Sequence, residues 1–205
     1  NRVIFQQKQT AWRYVLQYAQ TDANEWRSQN MLQQDQRNLT GHQHQQTTQK
    51  KWRRPEHDWI KCNVDGSFVN ADNPSTMGWI LRDSNGVYRG AGQASGRRVK
   101  NAFESELQAL IVAMQHCWSK RYKKVVFESD CQKMVNFLNK QGLHFDGYNW
   151  IREIYWWKQQ FQDIKFIWIA RKGNKVADTL AKSPLPPLQT FVFHFYVPRC
   201  ISPLL

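Results

Sequence analysis

Hydrophobic spacing changes repeatedly between Trp59 and Ser183, and the order of those changes constrains the fold more than any other property of the chain. IKCNVDGSF reads as a short strand, and MGWILRDSNGVYRGAGQAS as two more joined at Ser84, Asn85 and Gly86, since no helical period survives there. NAFESELQALIVAMQHCW then takes a helical period, with Leu107, Leu110, Met114 and Cys117 on one face. KKVVFESD follows as a continuous apolar run, the pattern of a buried parallel strand. A three-stranded antiparallel unit feeding a β-to-α-to-β crossover is the expectation. Further on, CQKMVNFLNKQG reads as a helix closed by Gly142, and WIREIYWWKQQF as another striped by Trp150, Ile154, Trp157 and Phe161. DIKFIWIA supplies a last strand, and NKVADTLAKS a last helix stopped by Pro184. The order β-β-β-α-β-α-α-β-α predicts an α/β fold, a mixed five-stranded sheet flanked by helices.

That pattern occupies residues 55–183 and leaves two segments outside it. Residues 1–54 are rich in Gln, Asn and Thr, and roughly Asn30 to Arg54 reads as a linker with too few apolar residues to offset its ordering entropy. Within the segment, Trp12, Val15, Leu16 and Ala19 form the stripe of an amphipathic helix, which needs a partner surface. Residues 184–205 form a Pro-punctuated tail whose apolar run suits either an extra strand or docking to another part of a parent protein. The start at Asn1 suggests a fragment.

Charge narrows the partners. With 29 Lys and Arg against 16 Asp and Glu, the net charge of +13 points toward a polyanion, although solubility explains it equally well. Cys62, Cys117, Cys131 and Cys200 lack Cys-x-x-Cys spacing and the density of a secreted disulfide scaffold. Reduced thiols and an intracellular location, nuclear or cytoplasmic, are expected. No stretch approaches the roughly 20 apolar residues of a membrane span, and NRVIFQQKQT lacks a signal-peptide core, so neither secretion nor a membrane partner is expected.

Four carboxylates sit where a purely structural role is awkward. Asp65 interrupts an apolar strand just before Gly66 and Ser67, although Asp-Gly is also an ordinary turn. Glu106 shares a helix line with Leu110, Ala113 and Cys117, where a charge is costly unless paired or metal-bound. Asp130 ends the strand VVFES, at the edge where open α/β sheets place their sites, but it could equally cap the next helix. Asp178 lies early in the last helix, where an acid also favours the helix dipole. Several carboxylates gathered from separate elements are what hard divalent ions require, and two such ions about 4 Å apart can activate water and stabilise a leaving oxygen.

An Asp on the first strand, a Glu on the first helix, an Asp after the fourth strand and an Asp on the last helix resemble the carboxylate arrangement of type 1 ribonuclease H. The strings KCNVDGSF, GWILRDSNG, ESELQAL, ESDCQ and ARKGNKVADTLAK are similar in detail to the plant-type, reverse-transcriptase-like domain at the end of many non-LTR retroelement polyproteins and in domesticated copies. This resemblance implies that Asp65, Glu106, Asp130 and Asp178 are the metal ligands of a two-ion site for Mg²⁺, with Mn²⁺ as an alternative. It implies hydrolysis of the RNA strand of RNA–DNA hybrids, leaving 5′-phosphate and 3′-hydroxyl ends. Gln132 matches a substrate-contacting glutamine, and Gly66 with Ser67 match a backbone turn near the RNA strand, a contact suited to 2′-hydroxyl recognition. A reverse-transcriptase region outside this chain is the implied protein partner. Two departures stand out: Trp168 occupies a place where many relatives carry histidine, and Ala102 with Phe103 replace an asparagine-rich approach to the helix glutamate.

The basic clusters divide by position. Arg97, Arg98 and Lys100 precede the Glu106 helix, and Arg171, Lys172 and Lys175 precede Asp178, so both are expected to grip phosphates, against the reading of a solvated loop. Asn174 is assigned with Arg171 to the nucleic-acid contacts. Lys120, Arg121, Lys123 and Lys124 lie at the opposite edge of the sheet and are expected to cap a helix end and aid solubility. Most of the ten tryptophans fall on core stripes, Trp168 excepted, and His42 with His44 lack further zinc ligands. Two rival readings are a nucleic-acid-binding or interaction module that keeps the fold without turnover, and a DNA nuclease of the same fold.

Overall fold

Alternation along β1 (Ile60–Ser67) sends Cys62 and Val64 to one face of the sheet and Lys61, Asn63 and Asp65 to the other, and the rest of the fold covers both faces. The computed structural model describes residues 53–140 and 147–205, all within the unit Thr48–Leu205. The Trp12 helix, most of the linker and the Gly142 stop therefore lie outside the described residues. β2 (Pro74–Arg82) and β3 (Tyr88–Arg98) complete the expected antiparallel meander, turning where Gly86 takes a positive φ of 79°. β4 (Lys124–Ser129) pairs parallel with β1 and with β5 (Asp163–Trp168), as a strand buried on both faces should.

The five expected strands are joined by a sixth. β6 (Phe191–His194), from the segment read as a tail, pairs antiparallel with β3 and gives the order β5-β4-β1-β2-β3-β6. Gln93 fixes the addition: its carboxamide nitrogen donates to the carbonyls of Leu180 and Ser183 at 2.8 and 3.1 Å, and its oxygen faces the His194 ring at 2.8 Å.

Among the described residues four α-helices flank the sheet: α1 (Ala102–Ser119), α2 (Gln132–Lys140), α3 (Tyr148–Lys158) and α4 (Lys175–Lys182). α1, α2 and α3 close the larger core over Val64, Trp79, Leu81, Val125, Phe127 and Phe166. On the other face Val176 and Leu180 of α4 pack with Ile80, Ala91 and the tail residue Ile201 in a smaller core. α1 is more enclosed than a single amphipathic stripe implies. The line of Glu104, Gln108, Ile111 and Gln115 is largely polar and by helical spacing alone should face solvent, yet Gln108 and Ile111 are 4 % and 3 % exposed. The reason is that α1 packs on β1 and β2 and also against α3. Among the described residues no helix is long and apolar enough to cross a membrane.

Candidate functional site

Strand register brings the acids together. β1 and β4 run parallel with Asn63 opposite Glu128, so Asp65 and Asp130 each lie two residues farther, at the carboxyl ends of adjacent strands. The two strands are locked just before that point, where buried Glu128 accepts from the Lys61 ammonium at 2.6 Å and from the Asn63 amide at 2.9 Å. Asp65 also pairs across β2 with Gly78. Two glycines let helices reach this spot: a Cβ on Gly66 would meet the Ser105 carbonyl oxygen at 2.5 Å, and one on Gly78 would meet the Ala181 nitrogen at 2.4 Å. α1 thus arrives with Glu106 and α4 with Asp178. Gly66 lies within β1, opposite Met77, as the strand reading of IKCNVDGSF expected, and the alternative of an ordinary Asp-Gly turn is not formed.

Asp65, Glu106 and Asp130 each offer an oxygen, and these oxygens all lie within 4.8 Å of one another. Burial is the largest cause of the altered acidity of Asp65 and Glu106, and the neighbouring carboxylates add to it. Asp65 is pushed up to about 7 by burial and by the charges of Asp130 and Asp178. Glu106 is pushed up to about 9 by burial, Asp65 and Asp130, with partial relief from the Gly66 N–H that donates to it. Oε2 of Glu106 is buried and has no hydrogen-bond partner among the described residues. Three hard oxygen donors, one of them orphaned, fit a divalent cation.

Asp178 stands beside this trio and outside it. Its Oδ1 accepts from Lys182, one turn along α4, and the Arg171 guanidinium lies 3.8 Å away. Arg171 also approaches Asp130 Oδ2 at 4.0 Å, while its side chain stays largely exposed. The carboxylate of Asp130 accepts from the Asn174 amide at 3.1 Å, and just ahead of α2 the Cys131 N–H donates to Ser129 Oγ at 3.0 Å. Gln132, the first residue of α2, is exposed next to Asp130. Ser67 ends β1 half-buried, and Arg97 with Arg98 end β3 exposed, at the same end of the sheet as the acids because β3 runs parallel to β1.

One sequence assignment is corrected. Asn174, expected at the nucleic-acid surface, is fully buried, so it cannot touch a ligand from where it sits. Its amide nitrogen donates to the Val64 carbonyl at 2.9 Å, to Asp130 Oδ1 at 3.1 Å and to Asp65 Oδ1 at 3.4 Å. Asn174 therefore positions two of the three acids. Sequence reasoning also missed the Lys182 partner of Asp178, which i, i+4 spacing could have suggested, and Glu128, an acid in an apolar strand just as Asp65 is. Trp168 is 40 % exposed at the end of β5, and its indole N–H donates to the Asp130 carbonyl at 3.2 Å.

Comparison with known proteins agrees with this architecture. A curated protein of Arabidopsis thaliana that carries a ribonuclease H name is 27 % identical over 157 residues, covering 75 % of this chain; the chain spans 25 % of that protein's length. The crystal structure of ribonuclease H1 from Halobacterium salinarum aligns with a TM-score of 0.56 at 20 % identity, over 60 % of this chain and 93 % of that one. The amino-terminal ribonuclease H domain of a Mycobacterium tuberculosis protein aligns at 0.54 and 17 % identity, over 60 % and 89 % of the two chains. A ribonuclease H1 named LC11, crystallised with an RNA/DNA hybrid, aligns at 0.53 and 20 % identity, over 59 % and 92 %. At these identities the structural likenesses show the fold. The profile of the reverse transcriptase-like family matches residues 63–184, more than half of the chain. With that match and the ribonuclease H fold around it, the chain belongs to the reverse transcriptase-like family.

Proposed function

We propose that this chain is a divalent-metal-dependent endonuclease that hydrolyses the RNA strand of RNA–DNA hybrids, leaving 5′-phosphate and 3′-hydroxyl ends. One observation carries the reading: three carboxylates from three separate elements converge within 4.8 Å, and one of them keeps a buried oxygen without a partner. Asp65, Glu106 and Asp130 would hold Mg²⁺, or Mn²⁺ in its place, with Asp178 supplying further negative charge beside them. A pair of such ions supplies an activated water and charge neutralisation at the leaving oxygen.

The chain's own groups do the rest. Asn174 holds Asp65 and Asp130 at a fixed separation. Arg97, Arg98 and Arg171 are exposed cations at the same end of the sheet, suited to phosphate contacts on either side of the acids. Gln132 and Ser67 flank the acids with groups that can bond to sugar or base. The solved relative that carries a hybrid supports the choice of substrate class.

Magnesium-dependent cleavage of an end-labelled RNA–DNA hybrid by the full chain tests the reading. Cleavage confined to the RNA strand, and lost in Asp65→Asn, is expected. Tight hybrid binding with no cleavage in Mg²⁺ or Mn²⁺ would instead make the chain a binding module, and cleavage of DNA duplex alone would make it a DNA nuclease.

A further inference from the structure

At the end of the sheet away from the carboxylates, a pocket of about 340 Å³ opens between the α1-to-β4 turn and the segment entering β1. We propose that it is a second anion site that takes a phosphate of a nucleic-acid backbone. Its walls carry Arg121, Lys123 and Lys124 around Ile60 and Tyr122. Asp58 is the one acid in the lining, and it lies against His57 at 3.1 Å. The pocket therefore presents an excess of positive charge, with Arg121 and Lys123 exposed and Lys124 half-buried.

Helix capping does not account for these cations. α1 ends at Ser119, and the dipole acts within the last turn, whereas Lys123 lies beyond it and Lys124 already belongs to β4. Lys120, the cation nearest the helix end, is turned toward the tail, with its ammonium 4.4 Å from the Phe193 ring centroid.

The backbone adds an independent sign. Arg121 has φ 62°, its N–H donates to the Trp118 carbonyl at 2.8 Å, and the Tyr122 N–H donates to Cys117 at 3.2 Å. This is the helix-ending geometry in which glycine is the least strained residue. An arginine there is held at a conformational cost, with its side chain lining the pocket. The Lys123 carbonyl accepts from the Gln162 and Asp163 N–H groups at 3.0 and 3.2 Å, so the turn is anchored before any ligand arrives.

The site is distinct from the carboxylates. Ile60 and Asp65 are five residues apart on β1, roughly 17 Å at strand rise, too far for one phosphate to touch both. A strand long enough to reach both ends of the sheet would gain a contact that a short one lacks.

The experiment titrates the full chain, free of metal, with inorganic pyrophosphate and with short and long RNA–DNA hybrids, following the amide resonances of Tyr122, Lys123 and Gln162. Pyrophosphate and the long hybrid should both shift these amides, and Arg121→Gly with Lys123→Gln should abolish the shifts. The same double variant should flatten the salt dependence of long-hybrid affinity by about two units and leave the short hybrid unaffected. Arg121→Gly alone should raise Tm while weakening pyrophosphate binding, which a residue kept only for the fold would not do. Shifts with pyrophosphate alone would overturn the nucleic-acid assignment, and no shift with either probe would overturn the site. Asp65→Asn should keep all these shifts, so failure of the nuclease reading is separable from failure of this one.

Discussion

α1 and α4 each deliver a carboxylate to the same strand, and they differ in how its charge is balanced. Glu106 rides on an 18-residue helix enclosed by sheet and neighbouring helix, with a buried oxygen that no donor among the described residues reaches. Asp178 rides on an eight-residue helix, with Lys182 on one of its oxygens and Arg171 nearby. The chain therefore neutralises Asp178 from its own side chains and leaves Glu106 to a proton or a metal. The proposed metal centre is therefore drawn on Asp65, Glu106 and Asp130, whose oxygens converge, with Asp178 beside it.

The largest expected effect tests that contrast directly. Glu106→Gln should lower hybrid cleavage on the order of 100-fold or more, the scale of losing one group that supports transition-state charge. In the metal-free protein it should change Tm little near neutral pH, where Glu106 already holds a proton, and raise it only above about pH 9, where the carboxylate would crowd its neighbours. Asp178→Asn should cost less activity and lower Tm slightly, since Lys182 loses its partner. Equal activity losses accompanied by falling Tm in both variants would erase the distinction between the helices.

pH should separate the metal-free and metal-bound states next. Asp65 and Glu106 have folded values raised to about 7 and about 9, so each binds its proton more tightly folded than unfolded. Their contribution to stability is complete below the ordinary carboxylate range, then falls as pH rises through about 7 for Asp65 and about 9 for Glu106. Metal-free stability should decline across that window by at most about 1.4 kcal/mol per pH unit for each proton released. Bound metal displaces those protons, so metal affinity should rise over the same range. Chemical denaturation at a series of pH values, with and without Mg²⁺, gives both slopes; a metal-free protein that gains stability from pH 6 to 9 would refute the assigned protonation.

Asn174 joins the two acids that neither helix carries. Asn174→Ala removes the donor shared by Val64, Asp65 and Asp130, and should cost about 2 kcal/mol of stability and about tenfold in Mg²⁺ affinity. Calorimetric titration separates the two roles. Reduced stability with unchanged metal affinity would confine Asn174 to holding the Val64 carbonyl.

Asp65 and Glu106 were legible because a carboxylate in an apolar strand or on a core-facing helix line breaks a local pattern. The order of strands and helices was legible for the same reason, since hydrophobic period is a local property. Asn174 was not: it was assigned with Arg171 to the nucleic-acid contacts, because its partners lie 110, 109 and 44 residues away in sequence, where no local pattern points to them. β6 was hidden likewise: its apolar run announces burial but not a partner, and only the β3 edge about 100 residues earlier decides that it becomes a strand. The enclosed second side of α1 depends on α3 packing beside it, which no helical wheel contains.

The smallest expected effect lies within α1 itself, where Glu104 and Glu106 stand two residues apart. Successive helical residues turn by about 100°, so the two side chains point roughly 200° apart and cannot serve one site. Glu104 already has work at the helix start. Its backbone N–H donates to Asn101 Oδ1 and its carboxylate accepts from the Lys100 N–H, both at 2.9 Å, so one open donor of the first turn and one just ahead of the cap are satisfied. A glutamine keeps an acceptor at the same position. Glu104→Gln should therefore change stability by no more than about 0.5 kcal/mol and leave cleavage and Mg²⁺ affinity near those of the parent chain. Glu104→Ala removes the acceptor and should cost on the order of 1 kcal/mol, still without touching metal affinity. Thermal unfolding and metal titration of both variants beside Glu106→Gln decide the matter: a fall in metal affinity for Glu104→Gln would mean that the helix presents the other face to the acids, and the three-carboxylate centre would have to be redrawn.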